Sequence, residues 1–161
     1  MRKRTVLLLA IVTALVVVGT AVATMASGLT ATTFVRATLG ANKPHDGVKA
    51  YSGDHVKLHT KGATDVTMQT ITFAPGGSSG WHSHPGVVLV AIQSGTLTRY
   101  DAHCRTTQYG PGQAFVEFGD HAGLVRNNTA SNAVVYVTYI SPKSATSLRN
   151  DKPQPATCSA S

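Results

Sequence analysis

Between residues 55 and 142 the chain is a succession of short segments rich in Val, Thr, Ile, Phe and Tyr, each closed by a turn signal, and this texture confines it to an all-β architecture. Strands are predicted at 56–59, 66–73, 87–92, 96–100, 106–109, 114–117, 123–127 and 133–140. Pro75-Gly76-Gly77, Ser94-Gly95, Gly110-Pro111-Gly112, Gly119-Asp120 and Asn127-Asn128 separate them. No amphipathic helix competes for this region, so the segments must close on one another as a sandwich or barrel. AVVYVTYI, at 133–140, is a near-continuous apolar run and reads as a buried strand.

What precedes the barrel has a different character. Arg2, Lys3 and Arg4 lead into an uncharged apolar run from Val6 to Ala23, with Ala21-Val22-Ala23 and Ala26-Ser27-Gly28 as small-residue exits. Residues 1–27 therefore read as a cleaved signal peptide or an uncleaved membrane anchor, and both send the remainder outside the cytoplasm. Residues 28–50 read as a linker or N-terminal arm, 51–142 as the barrel, and 143–161 as a C-terminal tail. Cys104 and Cys158, an even number in an oxidising space, are expected to form a disulfide tying that tail to the barrel.

Charge narrows the partners. The formal +7 includes the leader; without Arg2, Lys3 and Arg4, eleven basic residues face seven acidic ones. The eleven are scattered, which excludes a nucleic-acid-binding role. The expected partner is an unidentified small molecule, with membrane contact only through residues 6–23 if uncleaved, and a homodimer as an option.

The chemistry concentrates in GGSSGWHSHPGVVLVAIQSG, residues 76–95. In a strand, residues i and i+2 share a face, so His82 and His84 can converge on one point as neutral imidazole ligands. Gly76, five residues, His82-Ser83-His84 and then Gly95 resemble the first motif of the cupin family, with Pro85 in a familiar place. Gly112 and Asn127 are similar to the ends of its second motif. The resemblance covers roughly residues 55–142 and implies a small jelly-roll β-barrel. It also implies a divalent metal (Zn, Mn, Fe or Ni) held by two first-motif histidines, a first-motif Glu and a second-motif His. Here Val88 stands at the Glu position and Gly123 at the His position.

His121 and Glu117 are the candidates to complete the set. His121 lies two residues from Gly123, about 6–7 Å along a strand, so it can serve only if the backbone shifts. Glu117, an acid within the apolar AFVEF segment, could bind metal, pair with Arg126 or act as a base; otherwise it is an edge carboxylate facing solvent. The histidine pair could equally be a hydrogen-bonded pair in a metal-free pocket. Trp81 and Arg126 are expected to line a ligand pocket; His45, His55, His59 and His103 are expected on the surface. Asn127-Asn128-Thr129 matches the glycosylation sequon. Three functions fit: a binding barrel for a small ligand or metal, a metal-dependent enzyme of oxygenase, isomerase or hydrolase type with catalytic residues unknown, or a cell-surface interaction domain.

Overall fold

A computed structural model describes residues 22–40, 46–53 and 55–158. The leader up to residue 21, and His45, lie outside the described residues. Among those described, no helix is long and apolar enough to cross a membrane.

Among the described residues twelve strands follow one another: β1 (Ser27–Thr38), β2 (Lys49–Ser52), β3 (Val56–His59), β4 (Thr64–Ser78), β5 (His82–Ser83), β6 (Val87–Ser94), β7 (Leu97–Asp101), β8 (Thr106–Tyr109), β9 (Ala114–Phe118), β10 (Gly123–Arg126), β11 (Ala133–Pro142) and β12 (Asn150–Asp151). Ten of them make an antiparallel, nearly closed barrel with two five-stranded walls, β1-β4-β11-β6-β9 and β12-β5-β10-β7-β8. The long β4 crosses from one wall to the other, where Ser78 pairs with Arg126 of β10. β2 and β3 form a separate hairpin.

Period-two alternation sets the interior. Val88, Val90 and Ile92 of β6, Phe115 of β9, Leu97 of β7, Val125 of β10 and Val135, Val137 and Tyr139 of β11 form one buried cluster drawn from both walls. β11 is buried along one face. Its even-numbered residues point outward, where Tyr136 is half exposed. There it joins an apolar outer surface with Met68 of β4, Leu89 of β6 and Val116 of β9.

Gly95 closes the β6–β7 turn at φ +74°, and a Cβ on it would stand 2.6 Å from the Cα of Ala133. Both the turn and the close approach therefore require glycine there. Asn127 is fully buried; its Nδ2 donates to the carbonyls of Phe73, Ala74 and Ser131, while its Oδ1 accepts from Thr129. The amide that a glycan would occupy is thus bonded inside the β10–β11 turn, and the sequon is a structural element.

Much of the stretch read as a linker is strand. β1 runs along β4 for most of its length, although nearly all its side chains are exposed. Besides the ladder, Asp65 fastens its end. The buried carboxylate accepts from Thr38 Oγ1 and Arg36 Nε, both at 2.8 Å. The Thr38 hydrogen bond, then Arg36, hold the Asp65 carboxyl below the usual aspartate range. A depressed pKa contributes stability above the unfolded value, near 4, that is lost as pH falls through the folded value. Asp65→Ala is expected to cost roughly 1–3 kcal/mol at neutral pH and to flatten the acid limb of stability, which urea titrations from pH 7 to pH 3 would show.

The disulfide joins Cys104 to Cys158, 54 residues apart. It indicates an oxidising environment. The tail it secures is built into the barrel: β12 pairs with β5, setting Asp151 opposite His82 and Asn150 opposite Ser83. Three hydrogen bonds, two of them between backbone atoms, lock this corner. Lys152 N donates to the Trp81 carbonyl, Thr24 N donates to the Lys152 carbonyl, and Trp81 N donates to Thr24 Oγ1.

Candidate metal centre

The β5 ladder points the His82 ring inward, and His84, one residue beyond the strand, turns its ring edge-on to it, with centroids 4.8 Å apart. Each Nδ1 faces a backbone carbonyl, His82 on Gly80 at 2.9 Å and His84 on Leu148 of the tail at 2.7 Å. A carbonyl only accepts, so each Nδ1 carries a proton and each ring turns its Nε2 towards the centre, where it offers a lone pair whenever the ring is neutral. Glu117 reaches the same point from β9, its Oε2 lying 3.2 Å from His84 Nε2 and 3.8 Å from His82 Nε2. The three donors lie within 4.8 Å of one another, and all three residues are buried. Glu117 is therefore no edge carboxylate facing solvent.

Register explains how the carboxylate comes to be there. Val88 and Glu117 are direct partners on the β6–β9 ladder. Antiparallel partners share a face, with Cβ atoms about 5 Å apart. An acid on β9 thus enters the interior beside the place that an acid at position 88 would occupy. Gly123 is the ladder partner of His82. A Cβ on Gly123 would meet Glu117 Oε1 and the Tyr100 carbonyl oxygen at 3.5 Å and Arg99 Nη2 at 4.0 Å. The space that the missing second-motif histidine would fill adjoins the Glu117 carboxylate and the Arg99 guanidinium.

The electrostatics suit a cation. Burial pushes the Glu117 carboxyl up, but a hydrogen bond from His84 Nε2 when that ring is protonated, the charges of the two rings in that state and the Arg99 guanidinium outweigh it and keep it below the ordinary glutamate value. Burial lowers His82, more strongly than the Glu117 charge raises it. Tyr139, whose ring meets His84 edge-on, is pushed up to about 12 by burial and then by Glu117, so its phenol stays protonated. A carboxylate facing bare Nε2 lone pairs is stable only with a proton or a metal ion between them. Two imidazoles and one carboxylate are a donor set for Zn, Mn, Fe or Ni.

Other expected site residues lie elsewhere. His121 is exposed and packs against the Phe118 ring, because the turn after β9 carries it outside the barrel. Trp81 is buried in the corner locked by Thr24 and Lys152, and Arg126 alternates with the inward-facing Val125 on β10. Neither lines the interior cavity. That cavity, about 40 Å³ beneath His84, Glu117 and Tyr139, is walled by apolar residues such as Val88, Leu97 and Phe115. It has room for a few water-sized molecules, not for a sugar ring. Arg99, Tyr139 and the Leu148 carbonyl are contributors that motif reading did not reach. Their roles depend on the β7–β10 register, the inward face of β11 and a contact 64 residues along the chain.

No protein-family model and no curated protein matches the sequence. Similar solved structures include Peruvianin-I, a cysteine peptidase from Thevetia peruviana latex, at 17% identity and TM-score 0.50, over 79% of this chain and 68% of that one. A cupin domain of an XRE-family transcriptional regulator from Enterobacter cloacae aligns at 15% identity and TM-score 0.47, over 71% of this chain and 97% of that one. Oxalate oxidase aligns at 21% identity and TM-score 0.42 over 48% of this chain, which spans only 42% of that structure. At these identities the likeness is one of fold. The two antiparallel walls form the nearly closed β-barrel that the sequence resemblance implies.

Proposed function

We propose that this cupin-fold chain is an exported protein whose barrel holds one divalent transition-metal ion on His82 Nε2, His84 Nε2 and the Glu117 carboxylate. The observation that carries the reading is the convergence of three buried donors, both histidines having their Nδ1 already engaged by carbonyls. Fixing Nδ1 on an oxygen orients the ring and raises the basicity of Nε2, the usual support of a metal-ligating histidine. Two histidines and one carboxylate occupy one side of an ion and leave positions open for a ligand. When bound, the metal would act as a Lewis acid or redox centre for a small molecule. The confined interior favours a small ligand over a carbohydrate. Export rests on the basic, apolar N-terminal segment and on the disulfide. Cleavage after Ala23 would leave Thr24 in place to hold Trp81 and Lys152.

The test is metal analysis of the purified mature protein beside a His82→Ala/His84→Ala variant. Near-stoichiometric metal is expected in the first and none in the second. Adding Zn, Mn, Fe or Ni to stripped protein should raise Tm by about 10 °C at a hundredfold excess over Kd, since that excess stabilises by about 2.7 kcal/mol. A metal-free wild type whose Tm ignores all four ions would remove the proposal.

A further inference from the structure

The β2–β3 hairpin pairs with neither wall of the barrel. A two-stranded ribbon by itself is marginal in water and gains stability by packing against something else. Here Leu58 is half-buried, but Val56, on the same face of β3, stays 65% exposed. Between β3 and the outer surface of β6 and β11 lies a cleft of about 660 Å³. Pro85, Val87, Leu89 and Ile140 give it an apolar floor. Leu89 also borders a second hollow of about 310 Å³, where Val116 and Tyr136 continue the same surface. The two hollows make one track along β6. The outward-facing residues beside it, from Val87 to Ala91, Ala114 to Phe118 and Val134 to Ile140, include no charged side chain.

The hairpin end of the track is cationic. Lys57, His59 and Lys61 line the cleft, and all three are exposed, which places them at its rim. Among the described residues no acid lines the cleft, and neither lysine belongs to an ion pair. Asp65, beside the lining residue Thr64, is already engaged by Arg36 and Thr38. An uncharged track ending at two ammonium groups complements a molecule with an apolar tail and an anionic head. The volume is that of a small-ligand site. Its recessed shape suits a single chain, whereas a bilayer is met by a protruding apolar face.

We propose that this cleft binds a free fatty acid anion of medium chain length, its tail over Val87 and Leu89 and its carboxylate at Lys57 and Lys61. The site lies outside the barrel and is independent of the metal reading. A bound tail also supplies the apolar partner that the hairpin lacks, so backbone amides at residues 56–61 should exchange more slowly in the complex.

The experiment is calorimetric titration of the metal-stripped mature protein with hexanoate, octanoate and decanoate below their micellar concentrations, with octanol as the uncharged control. Affinity is expected to rise about threefold per added methylene, and octanol to bind about fivefold more weakly than octanoate. Lys57→Gln/Lys61→Gln should bring octanoate down to the affinity of octanol and leave octanol unchanged. Leu89→Asn should weaken both ligands. Melting curves establish that the variants are folded, and amide exchange locates the bound chain. No binding by any of the acids, equal binding of octanoate and octanol, or affinities unmoved by either variant would overturn the proposal. A dimer in sedimentation velocity that excludes all three acids would assign the face to a second copy instead. Cosedimentation with anionic phospholipid vesicles without binding of the free acids would assign it to a membrane. Either result overturns the proposal too.

Discussion

Glu117→Val is expected to weaken metal binding by at least about 100-fold, equivalent to roughly 2.7 kcal/mol, and Val88→Glu in the same protein is expected to recover most of the loss. The pair are ladder partners whose side chains enter the same interior, and Val88 is as buried as Glu117. Moving the carboxylate across the ladder displaces its origin by about 5 Å, which a glutamate's three side-chain torsions can span. The swap also keeps the number of buried charges constant, so the double variant does not add an unpaired acid to the core. Competition against a chromophoric chelator reads affinity, and urea denaturation reads stability separately. Wild-type affinity in Glu117→Val would show that the carboxylate is not a ligand. A folded double variant that binds no better than Glu117→Val would show that facing the same cavity is insufficient.

That exchange explains why the site was only partly legible. His82 and His84 announce themselves through i, i+2 spacing, yet only His82 lies within a strand. The convergence of the rings depends equally on the Gly80 and Leu148 carbonyls. Glu117 was visible as an acid in an apolar segment. Its role depended on pairing register, which residue types do not specify when both partners are apolar-flanked. His121 was attractive because it lies near Gly123 in sequence, but a turn reverses the direction that strand alternation would give it.

The barrel strands were readable because one face of each is buried, and alternation survives in β6, β9 and β11. β1 was not readable for the opposite reason. Its side chains are almost all exposed, so backbone pairing to β4 and the Asp65 contacts hold it without a hydrophobic pattern. β5 and β12 have two residues each, too few for any periodicity. Tail and N-terminus meet at Trp81 through backbone atoms alone, apart from Thr24 Oγ1.

Breaking the Cys104–Cys158 bond should therefore reach the metal centre as well as overall stability. The bond restricts a chain of 54 residues, for which the loop-entropy estimate is about 4 kcal/mol, an upper figure. The loop carrying Cys104 holds this residue at φ +63°, a conformation that side-chain-bearing residues adopt at a cost. Asp101 supports the loop by accepting from the backbone of His103 and Arg105. Without the covalent link, the tail would keep its two-residue ladder to β5 and the few backbone bonds around Lys152. The same tail carries the Leu148 carbonyl that orients His84. Cys104→Ser/Cys158→Ser is expected to lower stability by up to about 4 kcal/mol. It should also weaken the metal about tenfold, as loss of a group orienting a ligand does, chiefly through faster release. Stopped-flow transfer of zinc to a chelator, on oxidised protein, on dithiothreitol-treated protein and on the double variant, measures that release at a temperature where all three remain folded. Equal release rates in the three would mean that the barrel positions His84 without its tether, and that the tail contributes stability alone.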